Sequence, residues 1–357
     1  MKIGIPKESK DNRVAMVPTT MSKIKSETVK FLVEKGAGKN ASLTDATYAE
    51  MATITDRISI LNNSDIIVSV HPLPYEELAK VKKGTLMISM FAPYVNDNII
   101  NELQSFDLQG VSMDMIPRTT LAQAMDILSS MAAIAGYKAV LTAANHLPRY
   151  FPMMITAAGS IRPAKVLILG AGVAGLQAIA TARRLGAMVE AFDVRKAAKE
   201  EVESLGAKFV EVAGAADDKG AGGYAVKQSE AFIKRQRAEV QNRAAKADVI
   251  ITTAQVRGRK APILLPKATV DKMKAGSVIV DLASSTGGNC ELSEDNELII
   301  HNGVKIIGNS ALASDMPQDA STLFSNNILN FLKLIIKDGE LVLDKENEII
   351  KSALITD

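Results

Sequence analysis

A G-x-G-x-x-G motif follows an apolar run and precedes a helical pattern, and its glycines are Gly170, Gly172 and Gly175. Gly170 would let the chain turn sharply, Gly172 would let the backbone approach a pyrophosphate, and Gly175 would let the helix pack closely on the strand. The helix N-terminus would offer free N–H groups and partial positive charge to phosphates. The motif therefore predicts a dinucleotide site.

A second apolar segment ends in an acid, Asp193, 18 residues after Gly175. A carboxylate at that place accepts hydrogen bonds from ribose hydroxyls and repels a 2′-phosphate, so it favours NAD over NADP as the cofactor. Arg195 follows two residues later and softens that preference. The alternative is a glycine-rich turn in an α/β domain that binds no nucleotide.

The composition excludes several other classes of protein. The 42 Lys and Arg against 40 Asp and Glu leave a net charge of +2, which predicts no strong attraction to nucleic acid or anionic membrane. Aromatic residues for base stacking are few, with no Trp, 6 Tyr and 9 Phe. The single cysteine, Cys290, excludes an internal disulfide, and the three histidines lie far apart in sequence. The sequence therefore predicts no metal site.

Short Val, Ile and Leu runs alternate with helical stretches along the chain, the pattern of a parallel sheet covered by helices. The predicted strands are 2–5, 66–70, 86–90, 165–169, 188–193, 208–212, 249–253, 277–281 and 304–307. The predicted helices are 18–35, 126–146, 232–245 and 320–337. We therefore predict an α/β protein with two Rossmann-like doubly wound parallel-sheet domains and a cleft between them.

The length of 357 residues fits two domains. The last predicted helix is apolar enough to return to the first domain, which would make that domain discontinuous. We expect an N-terminal domain of residues 1–135 plus 310–357 and a dinucleotide-binding Rossmann domain of residues 136–309.

No stretch offers the roughly 20 consecutive apolar residues that a bilayer span needs. The nearest run, residues 166–182, contains three glycines and a Gln, and the N-terminus has no apolar stretch that suits a signal peptide. We expect a cytoplasmic protein with no direct membrane span.

Residues 212–228 are rich in Gly and Ala and have little to bury. Holding such a segment rigid costs much conformational entropy, so we predict a mobile surface loop. Tyr224, its one large side chain, could close over a bound ligand and exclude water. An ordinary long connection is the alternative.

The chain resembles the NAD(H)-binding component of proton-translocating nicotinamide nucleotide transhydrogenase and, more distantly, alanine dehydrogenase, with which that component shares its fold. The resemblance covers nearly the whole chain. The segments that carry it are 4–8 (GIPKE), 13–18 (RVAMVP), 117–130 (PRTTLAQAMDILSS), 151–159 (FPMMITAAG), 170–182, 222–225 (GGYA), 261–262, 281–283 (DLA) and 287–290 (GGNC).

The most specific of these segments is residues 117–130. In the transhydrogenase family an Arg, a Gln and an Asp at this spacing form a loop beside the nicotinamide, and the resemblance places Arg118, Gln123 and Asp126 there as the catalytic set. Arg118 would hold the diphosphate or carboxamide by a charge-assisted bond, and Gln123 would reach toward the second nucleotide. Asp126 would fix Arg118 or bind the carboxamide. The alternative is a surface loop in which Asp126 lies near a helix cap.

Further cofactor contacts are implied position by position. Ser129 would approach the nicotinamide, Val173 the pyrophosphate turn, and Gly223 with Tyr224 the closing loop. The full implied set is Arg118, Thr119, Thr120, Ser129, Gly170, Gly172, Val173, Gly175, Asp193, Val194, Arg195, Gly223, Tyr224, Gln236, Thr253, Ala254 and Gln255. Gln255 departs from the apolar residue expected there, and Gln236 could be one more polar residue on a solvated helix.

Oxidative deamination of an amino acid moves protons as well as a hydride and needs a base. The dehydrogenase branch supplies a Lys, a His and an Asp, and the matching positions here are His71, Ala92 and Ser285. Ala92 and Ser285 cannot do acid–base work, and we expect His71 to be a satisfied or exposed histidine without partners. Hydride transfer between two nicotinamides needs no base, only positioning of the rings and exclusion of water.

The resemblance therefore implies a transhydrogenase subunit that binds NAD(H) and acts only with partners. Because the chain carries no proton channel and no NADP(H) module, we expect these on separate membrane-bound and NADP(H)-binding subunits. A homodimer, docked peripherally at the cytoplasmic face of the inner membrane, is implied as well. Two alternatives remain, a free-standing NAD-dependent alanine or amino-acid dehydrogenase and a nucleotide-sensing module without catalysis.

Overall fold

The computed structural model describes residues 1–212 and 229–356. The chain divides into two compact units, and each is described here by itself. Unit 1 comprises Met1–Met131 with Ala313–Asp357, and unit 2 comprises Ala132–Leu312. The loop predicted over residues 212–228, with Gly223 and Tyr224, lies outside the described residues except for Val212.

Unit 1 is built on a six-stranded sheet in which every neighbouring pair is parallel. Its order is β3-β2-β1-β4-β5-β6, so the connections reverse direction between β1 and β4, as in a doubly wound fold. The strands are β1 (Lys2–Ile5), β2 (Lys30–Glu34), β3 (Ala52–Thr55), β4 (Ile66–Val68), β5 (Leu86–Ser89) and β6 (Gln109–Ser112).

Helices and one small hairpin complete unit 1. The helices are α1 (Pro18–Met21), α2 (Asp45–Tyr48), α3 (Arg57–Asn63), α4 (Tyr75–Leu78), α5 (Ile99–Ser105), α11 (Pro317–Ile335) and α12 (Glu348–Ala353), and the antiparallel hairpin pairs β16 (Ile336–Lys337) with β17 (Glu340–Leu341). α11 buries Phe324, Ile328 and Phe331 fully, which explains why the sequence after residue 312 returns to this unit.

The prediction of one helix over residues 18–35 is wrong. α1 ends after one turn, and Lys30–Glu34 forms strand β2 between β1 and β3. Burial alternates along β2, with Phe31 and Val33 buried, and this two-residue period suits a sheet. Pairing on both sides outweighs local helix propensity.

Unit 2 holds a seven-stranded sheet in the order β11-β10-β9-β12-β13-β15-β14, all parallel except β14, which runs antiparallel to β15. A separate antiparallel hairpin pairs β7 with β8. The strands are β7 (Met154–Thr156), β8 (Gly159–Ile161), β9 (Lys165–Leu169), β10 (Met188–Phe192), β11 (Lys208–Phe209), β12 (Val249–Thr252), β13 (Val278–Asp281), β14 (Leu298–His301) and β15 (Val304–Gly308). Together with unit 1, this sheet confirms the predicted class of two Rossmann-like α/β domains.

Helices cover both faces of the unit 2 sheet. They are α6 (Ile127–His146), which begins in unit 1, and α7 (Val173–Arg184), α8 (Ala198–Ser204), α9 (Glu230–Ala244) and α10 (Lys267–Val270). One apolar layer joins α6, α7 and α8 to the sheet, and the other joins α9 and α10. At Gly136 of α6 an added Cβ would overlap the Ala174 carbonyl, so the backbones of α6 and α7 approach closely there.

Among the described residues, α6 alone has the length and apolar composition of a helix that could cross a membrane. Core helices meet the same criterion, and Ala139, Val140 and Ala143 of α6 are fully buried in unit 2. The helix is therefore weak evidence for a membrane span.

Candidate functional site

The predicted nucleotide-binding residues of unit 2 lie where three neighbouring strands end. Gly170 follows β9, Asp193 follows β10 and Thr253 follows β12, and these strands lie side by side in the order β10-β9-β12. The connections of the sheet reverse direction between β9 and β12, and ligands of doubly wound sheets bind at the carboxyl ends of the strands at this point. The structure thus brings the two sequence motifs and the end of β12 together.

The glycine turn has the shape that its spacing predicts. Gly170 has a φ of +104°, and its carbonyl oxygen accepts a hydrogen bond from Thr253 Oγ1 (3.1 Å). A Cβ on Gly175 would overlap the Gly170 carbonyl oxygen, so only glycine lets α7 lie this close to the turn. A Cβ on Gly172 would meet nothing within 4 Å, and no side chain caps the N-terminus of α7. Open space in front of an uncapped helix N-terminus fits a pyrophosphate.

Asp193 already has partners in this structure. Its Oδ2 accepts a hydrogen bond from the Ala171 N–H (2.8 Å), and its Oδ1 accepts from the backbone N–H (2.8 Å) and Nε (3.0 Å) of Arg195. The hydrogen bonds to Asp193 raise the pKa of Arg195 above its usual value. A ribose would therefore have to share the Asp193 carboxylate with Arg195 or displace the Arg195 side chain. The spacing in the sequence does not reveal this constraint.

The third side of the site is the chain that follows β12. Thr253 and Ala254 are half-buried, whereas Gln255 is exposed and its Nε2 donates to the Leu282 carbonyl oxygen (3.3 Å). The buried amide of Asn289 holds the backbone of Ala254 on both its N–H and its C=O. Asn289 lies in segment 287–290 (GGNC), which is part of the family resemblance, but the sequence alone assigns this residue no role.

The remaining predicted contacts of unit 2 differ in exposure. Val173 and Val194 are exposed, and Gln236 is half-buried on α9, one turn before the buried Val240.

Burial raises the pKa of Cys290 to about 11, and the thiol therefore stays protonated at neutral pH.

The loop that carries Arg118, Gln123 and Asp126 belongs to unit 1, and so does Ser129. Arg118, Thr119 and Thr120 are exposed, and Gln123 begins a short 3₁₀ helix, Gln123–Met125. The side-chain amides of Asn327 and Asn330 on α11 both donate to the Ala124 carbonyl oxygen (2.8 and 3.2 Å). Helix α11 thus holds the loop in place.

Asp126 caps α6. Its Oδ1 accepts a hydrogen bond from the Ser129 N–H (2.9 Å) and its Oδ2 from Ser129 Oγ (2.6 Å). Within the described part of the chain, Asp126 forms no ion pair with Arg118. The predicted roles of both residues in catalysis stay predictions.

Unit 1 has a charged cluster at the carboxyl ends of β1 and β4. The Asp11 carboxylate accepts from Arg13 Nη2 (2.6 Å) and Nε (2.9 Å), and His71 Nε2 lies 2.8 Å from Asp11 Oδ2. Burial would raise the pKa of Asp11, but the hydrogen bonds from Arg13 and His71 outweigh it and hold the pKa well below its usual range. The expectation that His71 lacks partners is wrong, because the acid that pairs with it is 60 residues away in sequence.

Glu8 lies beside this cluster, where it accepts a hydrogen bond from the Val70 N–H (2.6 Å), and burial raises the pKa of its carboxyl. Ala92 and Ser285 supply no titratable group, as their side chains dictate. No group of three or more His, Cys, Asp or Glu that could hold a metal ion occurs among residues 1–212 and 229–356.

The fold and site define a two-unit α/β protein with a Rossmann-type glycine turn. The family model described as alanine dehydrogenase/PNT, N-terminal domain, matches residues 4–135, and the one described as alanine dehydrogenase/PNT, C-terminal domain, matches residues 139–357. The chain belongs to the alanine dehydrogenase/PNT family, as the resemblance predicted.

Two groups of relatives are similar to the chain. The protein named as the first part of NAD(P) transhydrogenase subunit alpha in Rhodospirillum rubrum is 44% identical over 373 residues, which cover 100% of this chain and 96% of that protein. The structure of a transhydrogenase from Sinorhizobium meliloti aligns with a TM-score of 0.92 at 39% identity, covering 100% of this chain and 98% of that one. An L-alanine dehydrogenase structure aligns with a TM-score of 0.79 at 25% identity over 99% and 94% of the two chains. The relatives named transhydrogenase are thus the more similar in both sequence and structure.

Proposed function

We propose that this chain is the NAD(H)-binding subunit of a proton-translocating NAD(P) transhydrogenase, and that it takes part in hydride transfer between NADH and NADP+ held by a partner subunit. The observation that carries the proposal is the glycine turn at the end of β9, flanked by Asp193 and Thr253, in a chain that is 44% identical to a protein named as part of a transhydrogenase alpha subunit. The domains that go with this function are an alanine-dehydrogenase-like domain, 1–135 plus 310–357, and an NAD(H)-binding domain, 136–309.

Each part of the site has a task in this proposal. The turn at Gly170 and Gly172 and the N-terminus of α7 hold the pyrophosphate, and Asp193 accepts hydrogen bonds from the adenosine ribose. Bound NADH supplies the hydride. The unit 1 loop with Arg118, Gln123 and Asp126 orients the nicotinamide end, leaving one ring face accessible to the second dinucleotide.

Hydride transfer between two nicotinamides needs ring positions within near-attack distance, about 3–3.5 Å, and a dry site. It needs no general base. The side chains at two of the three matched dehydrogenase positions support the proposal, since Ala92 has no titratable group and the Ser285 hydroxyl is too weak an acid and base to serve as a general acid or base at neutral pH. In the charged cluster of unit 1, the Asp11 carboxylate already accepts hydrogen bonds from the Arg13 guanidinium and lies 2.8 Å from His71 Nε2.

The proposal includes partners. NADP(H) would be held by a second subunit, and proton movement would run through membrane-embedded subunits, with this chain peripheral on the cytoplasmic side. A homodimer belongs to the proposal, and the apolar surface of the β7–β8 hairpin supports it. Ile155 of β7 is 73% exposed, and Met153, which directly precedes β7, is 58% exposed. An Ile155→Asp variant should be monomeric in light scattering, and a variant that stays dimeric would exclude this surface.

The test is reconstitution. We expect the purified chain to exchange hydride between NADH and an NADP(H) analogue when it is mixed with an NADP-binding transhydrogenase subunit, and to show no exchange alone. Lack of exchange in every mixture, with NADH binding intact, would reject the proposal and favour a nucleotide-sensing module.

The second candidate is an alanine or other amino-acid dehydrogenase, favoured by the alignment with L-alanine dehydrogenase. It predicts NAD reduction with an amino acid and no partner subunit. A panel of amino acids that yields no NADH would exclude it.

A further inference from the structure

A buried polar network lies behind the Ala254 side of the site. Asn289 is fully buried, and its Oδ1 accepts a hydrogen bond from the Ala254 N–H (2.9 Å). Its Nδ2 donates to the carbonyl oxygens of Ala254 and Pro262, each at 2.9 Å. One side-chain amide therefore satisfies both backbone polar groups of Ala254, as a neighbouring strand would.

The backbone of Asn289 holds the other end of the connection from β12 to α10, whose first end is at Ala254. Its carbonyl oxygen accepts hydrogen bonds from the N–H groups of Leu264 (2.8 Å) and Leu265 (3.0 Å). Residues 255–260 in between are exposed, so packing contributes little to their position. Both ends of the connection from β12 to α10 are thus fixed to one residue.

Asp281, the last residue of β13, orients Asn289 in turn. Its fully buried carboxylate accepts four hydrogen bonds of 2.8–2.9 Å. Oδ2 accepts from the backbone N–H groups of Asn289 and Cys290, and Oδ1 accepts from Thr252 Oγ1 and the Ala283 N–H. The carboxylate links the end of β12 directly to the segment that carries Asn289.

We propose that Asn289, oriented by Asp281, is a positioning residue for NAD(H) binding. It fixes Ala254 and, through the adjacent Thr253, the turn at Gly170, whose carbonyl oxygen Thr253 Oγ1 contacts at 3.1 Å. Asn289 itself is buried and acts without touching the nucleotide. This inference rests on the proposed function, since Asn289 acts by holding the backbone of the same nucleotide site.

The main variant is Asn289→Asp, which keeps the side-chain shape. Its carboxylate can still accept from the Ala254 N–H, but it faces two carbonyl oxygens that then lose their donors. We expect the dissociation constant for NADH, measured by fluorescence titration, to rise about tenfold or more. In the nucleotide-free protein, hydrogen exchange at the Ala254 amide should become faster in Asn289→Asp, because repulsion between the new carboxylate and the two carbonyl oxygens loosens the segment, and faster still in Asn289→Ser, whose shorter side chain does not reach that amide. Asn289→Ser and Asp281→Asn provide further variants if Asn289→Asp fails to fold.

Asp248→Asn is the matched control. Asp248 is a buried carboxylate that directly precedes β12, at the opposite end of that strand from Ala254, and it accepts hydrogen bonds from the Lys165 N–H (2.8 Å) and Arg149 Nη1 (3.0 Å). We expect this variant to lower the melting temperature but to keep the NADH dissociation constant within about twofold, since distant sites act independently.

Wild-type NADH affinity in a folded Asn289 variant would overturn the inference, and so would an equal loss of affinity in Asp248→Asn. A wild-type chain that binds no NADH would instead reject the proposed function. In that case unchanged exchange at the Ala254 amide of the Asn289 variants would overturn the positioning role independently.

Discussion

At the end of β10, the Asp193 carboxylate has hydrogen-bond donors within the protein and, in the proposed function, a further donor from the nucleotide. It accepts hydrogen bonds from Ala171 and Arg195, and in the proposed function it must also accept them from a ribose. A carboxylate has about four lone-pair sites, so the backbone of Ala171 and a ribose hydroxyl can share Oδ2. The Arg195 side chain is 39% exposed and can move aside at small cost.

Asp193→Asn should weaken NADH binding by about 1–3 kcal/mol, because the amide presents one acceptor where the carboxylate presents two. Isothermal titration of the purified chain measures this. Glu190→Gln, on the same strand, is the control, since Glu190 pairs with Arg243 at 2.5 Å and takes no part in the proposed site. Equal affinities of wild type and Asp193→Asn would show that the ribose assignment is wrong.

Asp11 offers a residue-scale test of electrostatics in unit 1. Its folded-state pKa is depressed, so the stability it contributes is present above the unfolded pKa of about 3.9 and is lost as pH falls through the folded pKa. Asp11→Asn should cost about 3 kcal/mol at neutral pH, as expected for a buried pair that loses one partner. The gap between wild type and variant in denaturant unfolding should stay constant above about pH 5 and narrow below about pH 4.

Asp65→Asn is the control for this measurement. Asp65 pairs with Lys82 at 2.6 Å at a partly exposed position, where an ion pair is worth about 0–1 kcal/mol. A gap for Asp11→Asn that widens as the pH falls would contradict the assigned direction of the pKa.

At the scale of elements, the turn between β9 and α7 separates two uses of glycine. Gly175 allows contact between the helix and the turn, because an added Cβ would overlap the Gly170 carbonyl oxygen. Gly172 keeps open space at the helix N-terminus. The first use concerns folding and the second concerns ligand binding.

The pair Gly175→Ala and Gly172→Ala should therefore separate stability from affinity. Gly175→Ala forces α7 off the turn and should destabilise the protein by about 1–3 kcal/mol, the cost of overpacking. Gly172→Ala, at a φ of −78° and with no neighbour within 4 Å of its new Cβ, should keep the melting temperature and weaken NADH binding. Thermal unfolding and NADH titration of both variants test this, and a Gly172→Ala protein with wild-type affinity would place the pyrophosphate elsewhere.

Local patterns predicted the central strands of both sheets, since strands buried on both faces appear as continuous apolar runs. β1 and β9 have the predicted bounds, whereas the local pattern at β2 predicts part of a helix, because the strands that pair with β2 are distant in sequence. The glycine turn and Asp193 were found because their spacing is local. The Asn289 contact with Ala254 spans 35 residues and the His71 contact with Asp11 spans 60, so no local pattern could reveal them.

At the scale of the whole molecule, the chain combines a nucleotide-type turn in unit 2 with a loop in unit 1 that α11 holds in place. Asp126 serves as a helix cap there, which orders the start of α6 and fixes one end of the loop that carries Arg118 and Gln123. The domain boundaries at residues 135 and 309 and the roles of these loop residues stay predictions. We propose that the chain positions the nicotinamide ring and excludes water for a hydride transfer, and that its own side chains transfer no proton.

Isotope tracing tests that claim most directly. NADH deuterated at the transferred C4 position is mixed with the chain, an NADP-binding partner subunit and NADP+, and the NADPH formed is analysed by mass spectrometry. Direct transfer predicts that the deuterium appears in NADPH without loss to water. NADPH that carries hydrogen from the solvent in place of deuterium would contradict the account.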